Sequence, residues 1–325
     1  MMLMTIRIRL YALLLSFAAV PVIAQTQRFV TVEKDVKLEV LDWGGSGRAV
    51  VLLAGGAQDA HSFDEFAPKL ATAYHVYGIS RRGFGASSAP AQGYLADSLA
   101  DDVLAIIDSL GLKRPVLAGH SLAGEELSSI GSRHPERVAG LVYLDAGYPY
   151  ACYDSTSENV PMTVGDVQRK LARITDASTP VSPLDIELVI QDLLDKSLPL
   201  MERDLRGLGK MLAAMPNQTQ KIQVPPLDRI QDALNQGQEK YTSIHGPVLA
   251  IFAAPSLARV RRYGSLTPTQ ADSADLAFVM PQIRAFERCA PGARIVRIAH
   301  ADHFIFWSNE GEVLREMRSF IDSLP

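Results

Sequence analysis

Ser121 lies in the segment Val116-Leu117-Ala118-Gly119-His120-Ser121-Leu122-Ala123-Gly124. The apolar run VLAG reads as a buried strand, and the following LAGEELSSIGSRH has helix-forming character. A serine at such a strand-to-helix turn, flanked by small residues, describes a nucleophile elbow. Gly119, Ala123 and Gly124 let neighbouring backbone approach closely. The turn lifts the hydroxyl above the sheet edge and aims the free N–H groups of the next helix at whatever it attacks. Such a serine can attack an acyl carbon if an imidazole takes its proton and N–H donors receive the oxyanion.

Seven histidines are available for that role. His120 adjoins the serine and points elsewhere in an elbow, so its expected role is packing. His61 could line a pocket. His75, His134 and His245 sit at element edges and read as structural or solvated. His300 and His303 follow the last strand and stand as the candidate bases. Glu125 and Glu126 open the helix after Ser121, where acidic residues suit the helix dipole; Glu125 could instead hydrogen-bond near the elbow. Arg81 and Arg82 form an unusual pair, one of which could clamp an Asp or Glu across the top of the sheet. Gly44-Gly45-Ser46-Gly47 lacks the G-x-x-x-x-G-K of a phosphate loop. With two cysteines and no C-x-x-C, no cofactor or metal is expected.

The elements that must hold these groups follow from hydrophobic patterning. Val36 to Asp42, Ala49 to Ala54, His75 to Ser80, Val116 to Gly119, Val138 to Leu144, Val248 to Ala254 and Ile295 to Ala299 read as strands. Phe63 to Ala73 and Ala96 to Leu110 read as helices, the second ending at Gly111. Strands alternating with helices predict an α/β fold, a mostly parallel central sheet with both faces covered. The stretch 149–245 breaks the rhythm. It holds no convincing strand, and Leu184 to Lys196, Leu198 to Met215 and Leu227 to Tyr241 read as helices split by prolines. It is expected to be a helical cap inserted into a core made of 25–148 and 246–325.

The 325-residue chain is 47% hydrophobic with a net charge of −4. It has no basic stretch for nucleic acid and no acidic tail. Arg7 and Arg9 precede the apolar run from Leu10 to Val20, and Val22-Ile23-Ala24 supplies a small-residue cleavage pattern. Residues 1–24 therefore read as a signal peptide, and a secreted or periplasmic mature protein is expected, without stable membrane insertion. An oxidising compartment permits a Cys152–Cys289 bond, although two separate thiols are the expected reading, since sequence separation says nothing about spatial distance.

Four patterns in order resemble the α/β-hydrolase-fold superfamily from about Val36 to Leu324: VVLLAGGAQDAHSF at 50–63, GISRRGFGASS at 78–88, GHSLAG at 119–124, and ADHFIFWSNEGEVLREMRSFI at 301–321. The resemblance implies that His303, in the loop similar to the family's histidine loop, is the base rather than His300. It also implies an oxyanion hole built from the N–H groups of Leu122 and Gly56. Most members place the triad acid after the seventh strand, where this chain has Pro255-Ser256-Leu257-Ala258 and no carboxylate. Some place it one strand earlier, which points to Asp145; Asp272 and Asp275 are the rivals, and Asp302 adjoins His303 too closely to orient it. Members that are haloalkane dehalogenases or epoxide hydrolases carry aspartate where this chain has Ser121. The resemblance therefore implies a serine hydrolase acting on a small-molecule acyl substrate, and with the expected export and helical cap a carboxylic ester is the expected bond. An acyltransferase and a non-catalytic ligand-binding protein on the same fold are the alternatives.

Overall fold

The computed structural model describes residues 25–154, 182–199, 229–264 and 266–325, together with positions 167, 171, 201, 202, 205 and 206. The expected signal peptide, and most of the helix expected over Leu198 to Met215, lie outside the described residues.

Eight strands form one sheet: β1 (Thr26–Glu33), β2 (Val36–Gly44), β3 (Ala49–Leu53), β4 (His75–Ile79), β5 (Val116–His120), β6 (Gly140–Leu144), β7 (Val248–Ala253) and β8 (Arg294–Ile298). Their order is β1-β2-β4-β3-β5-β6-β7-β8. β2 runs antiparallel to both its neighbours, and every pairing from β4 to β8 is parallel. The central strands β5, β6 and β7 are buried along their whole length. Continuous apolar runs such as VLAIFA at 248–253 are what a parallel strand covered on both faces requires.

Helices α1 (Ala96–Ser109), α2 (Gly124–Arg133), α3 (Pro183–Asp192), α4 (Arg229–Gln236), α5 (Pro268–Cys289) and α6 (Glu310–Asp322) complete the architecture. One face of the sheet packs against α1, α2 and α5 through residues such as Ile107, Leu127 and Phe286. The other packs against α6 and the segment 60–71 through Phe63, Phe66, Met317 and Phe320. The two chemistry-bearing loops, after β5 and after β8, thus open at the carboxyl end of a rigid sheet.

Three expectations need correction. β1 was not predicted: it is an edge strand whose side chains are mostly exposed, and its apolar alternation is confined to Val30 and Val32, too short to detect. The helix expected over Phe63 to Ala73 is a short 3-10 turn, Ala60–Phe63, followed by a single helical turn, Ala67–Leu70. Pro68 can only sit in the first turn of a helix, so it sets a new start there. The stretch 149–245, expected to form a cap, contributes α3, which passes into a wider turn at Leu193–Ser197, and α4, which is shorter than the span expected from Leu227 to Tyr241.

Candidate active site

Ser121 follows directly on β5 and adopts a left-handed backbone, with φ +49°. For a residue with a Cβ this conformation is strained, and it persists only where the surroundings over-determine it. Here they do. A Cβ placed on Gly124 would stand 2.2 Å from the Ala146 carbonyl oxygen, so α2 begins pressed against the loop that leaves β6. A Cβ on Gly55 would stand 2.8 Å from His120 Nδ1 and 3.2 Å from Ser121 Cβ, so the turn after β3 abuts the serine from the other side. The turn carrying Gly56 therefore lies beside the elbow; Leu122 Cδ2 is 3.5 Å from the Cβ position of Gly56.

His303 bridges the two halves of the site. Its Nε2 is 2.8 Å from Ser121 Oγ, and its Nδ1 is 2.8 Å from Asp145 Oδ2. With Nδ1–H donating to the carboxylate, Nε2 is left with a lone pair that accepts the serine hydroxyl. Asp145 is 1% exposed and also has a left-handed backbone, φ +47°. Its N–H donates to the Ile251 carbonyl, which fixes it between β6 and β7. Its second oxygen, Oδ1, accepts from the Ala253 N–H at 2.9 Å and from the Tyr148 hydroxyl at 2.6 Å. The carboxylate is thus buried with three donors, which is how a buried charge is made tolerable.

The rival acids are occupied elsewhere. Asp275, fully buried, accepts from Arg259 Nε at 2.6 Å and the Ser256 N–H at 2.8 Å. Asp272 lies 3.4 Å from His300 Nε2, so the other candidate histidine pairs with it. Asp302 accepts from the N–H of His303 at 2.7 Å and caps its own loop. Beyond β7, Arg259 Nη2 donates to the Ala253 carbonyl at 2.8 Å.

His120 does more than pack. It lies beneath His303 and Phe304, at centroid distances of 4.7 and 4.9 Å, and its Nε2–H donates to the His303 carbonyl at 3.0 Å. Burial first, and then the neighbouring His303, lower its pKa to about 3. His61 does not line the site: it faces Asp64 at 3.0 Å on the surface. Glu125 and Glu126 are both buried rather than displayed at the helix end, and Glu126 pairs with Arg81. Arg82 grips Asp102 through two bonds of 2.6 and 2.7 Å. Both arginines therefore clamp acids, where only one of the pair was expected to.

Sequence reasoning did not anticipate Tyr148 and Tyr150, because aromatic residues after a strand carry no signal of where they point. Burial drives the pKa of both well upwards, so each remains neutral. Tyr150 faces Ser121 and Glu125. Ile230 and Ala233 of α4, like Leu122 and Phe84, pack against the cluster of Tyr94, Leu99 and Leu234. Cys152 and Cys289 form a disulfide with Cα atoms 6.2 Å apart, fastening the chain just past Tyr150 to the end of α5.

Residues 48–310 match the family model described as the alpha/beta hydrolase fold. The chain belongs to that family. A fluoroacetate dehalogenase from Burkholderia sp. is 33% identical over 122 residues, 36% of this chain and 40% of the relative. A non-heme haloperoxidase from Rhodococcus erythropolis is 32% identical over 153 residues, 46% of this chain and 55% of the relative. Epoxide hydrolase A of Mycobacterium tuberculosis is 34% identical over 125 residues, 37% of this chain and 38% of the relative. The chain spans about half or less of these relatives' length. Among solved structures, an esterase from Rhodococcus sp. ECU1013 superposes with a TM-score of 0.55 at 19% identity, covering 92% of this chain and 99% of that one. E-2-(acetamidomethylene)succinate hydrolase gives 0.56 at 19% identity, covering 92% and 100%. These two likenesses show the fold.

Proposed function

We propose that the protein is a serine hydrolase that cleaves a carboxylic ester or a related acyl bond through an acyl-serine intermediate. The observation that carries this reading is the single imidazole held between Ser121 and Asp145 by two 2.8 Å contacts. In the first step Ser121 Oγ attacks the acyl carbon while His303 Nε2 takes the hydroxyl proton. The N–H groups of Gly56 and Leu122 receive the negative oxygen. Collapse of the tetrahedral intermediate expels the alcohol, which leaves with the proton from His303. Water then enters, gives a proton to Nε2, and attacks the acyl carbon; the acid product and free serine result. Asp145 holds the Nδ1 tautomer and stabilises the imidazolium throughout. The relatives named as a dehalogenase and an epoxide hydrolase do not transfer their reactions here, because a serine stands where such members carry aspartate.

The mature protein is read as exported. The pairing of Cys152 with Cys289 supports this, since disulfides persist chiefly in oxidising compartments. The helices α3 and α4 belong to a cap that shapes substrate entry.

A fluorophosphonate probe tests the reading. Purified protein should be labelled at Ser121, located by mass spectrometry of the adduct, and Ser121→Ala should not be labelled. Folded protein that resists the probe and cleaves no p-nitrophenyl ester would refute the assignment.

A further inference from the structure

Arg81 follows β4 by two residues, and its guanidinium is 6% exposed behind the turn that carries Gly56. Nη2 donates to the Ala54 carbonyl at 2.6 Å, and Nη1 to the Gly55 carbonyl at 2.7 Å. Nε donates to Glu126 Oε1 at 2.8 Å, on the first turn of α2. One planar cation thus holds two consecutive carbonyls of the turn and a carboxylate on the helix that Ser121 leads into. Glu126 is itself buried at 3% exposure, so neither charge is shared with solvent.

The geometry of the peptide unit gives this clamp a consequence. A trans peptide is planar, and its C=O and N–H point in opposite directions. The Gly55 carbonyl shares its plane with the Gly56 N–H, and the Ala54 carbonyl shares its plane with the Gly55 N–H. Drawing both carbonyls towards Arg81 turns both N–H groups the other way. Gly55 lies against Ser121 Cβ and His120, so the turn presents itself to the elbow while its carbonyls are held behind. A cation on a carbonyl oxygen also polarises the amide and makes its N–H a stronger donor. Lysine could not reproduce the arrangement, because a single ammonium lacks the rigid fork that reaches two carbonyls and a carboxylate together.

We propose that Arg81 is a positioning residue for acyl transfer: through the Gly55 carbonyl it aims the Gly56 N–H at the oxygen of the attacked acyl group, and Glu126 ties that aim to the nucleophile's helix. This rests on the reading of Ser121 as the acyl-transfer nucleophile. A purely structural ion pair would affect how much protein folds but not the rate of each folded site. Losing a clamp on the oxyanion donor weakens transition-state stabilisation while leaving ground-state binding nearly intact.

The test compares wild type, Arg81→Lys and Glu126→Gln on p-nitrophenyl acetate, with active sites counted by fluorophosphonate titration. Amide hydrogen exchange over residues 49–60 is followed on the same samples. Arg81→Lys should lower kcat per titrated site by about 10²-fold, the scale of one lost oxyanion donor. KM should stay within about threefold, the pattern of an interaction made only in the transition state. Exchange in 49–60 should quicken while the sheet elsewhere is unchanged, and Glu126→Gln should show the same pattern more weakly. Full kcat per titrated site in Arg81→Lys, or unaltered exchange in 49–60, would overturn the proposal. Failure of the wild-type serine to titrate would instead overturn the serine-hydrolase reading, and exchange alone would then decide whether Arg81 holds the turn.

Discussion

Asp145→Asn replaces one carboxylate oxygen with an NH2 group, and the structure dictates which. Oδ1 accepts from the Ala253 N–H at 2.9 Å and from the Tyr148 hydroxyl at 2.6 Å. An amide nitrogen placed there would face a fixed backbone donor, so the asparagine carbonyl must take that position. Its NH2 then faces His303 Nδ1, where Oδ2 now accepts at 2.8 Å. An NH2 group can only donate, so Nδ1 must present its lone pair and the proton must move to Nε2. Nε2 then no longer accepts from Ser121. The enzyme would fold with its site in the wrong tautomer, for which losses of about 10⁴ in kcat are the known scale, roughly 5 kcal/mol in activation free energy. The change is isosteric and keeps the Ala253 and Tyr148 bonds, so the melting temperature should move little. The assay is p-nitrophenyl ester hydrolysis per folded site, with fluorophosphonate labelling falling in parallel. Retention of more than a tenth of wild-type kcat by Asp145→Asn would refute the reasoning, as would a larger loss in Asp275→Asn. The latter should instead cost stability, because it removes the charge that partners Arg259.

Two further outcomes follow from buried groups away from the reacting atoms. His120 has its pKa lowered to about 3 in the fold, while an unfolded chain titrates near 6.5. The unfolded state therefore binds the extra proton between those values, and stability is fully present above pH 6.5 and is lost as pH falls towards 3. Between pH 7 and pH 5 this amounts to about 2 kcal/mol, and His120→Asn should flatten that part of a denaturant-unfolding series; an unchanged slope would contradict it. The Cys152–Cys289 bond spans 137 residues of sequence, a loop for which the chain-entropy model gives about 5 kcal/mol as an upper estimate. Cys152→Ser with Cys289→Ser should lower the denaturant midpoint markedly, and adding reductant to wild type should do the same; coincident curves would show that the bond does not stabilise the fold.

The elbow was legible from a few neighbouring residues because its requirements are local. A strained serine needs small residues within a turn of itself, and a buried parallel strand needs a continuous apolar run; both are written into residues 116–124. The alternation of strands and helices, and with it the mostly parallel sheet, follows from the same short-range patterning. β1 escaped because an exposed edge strand is held by backbone pairing to β2 rather than by extended apolar alternation. The choice among Asp145, Asp272 and Asp275 could not be made locally. It depends on β6 and β7 lying side by side although about a hundred residues separate them in the chain, and on the Ala253 N–H and Tyr148 meeting one carboxylate there. The two glutamates after the serine show the same limit. Their place in the first turn suits the helix dipole, yet Arg81, arriving from β4, turns Glu126 inwards as the anchor of the oxyanion turn. Sequence alone determined which residues could react and the layer that carries them. Tertiary structure decided which charge faces which, because desolvated partners are selected by proximity in space, and that proximity is created only when distant strands pair.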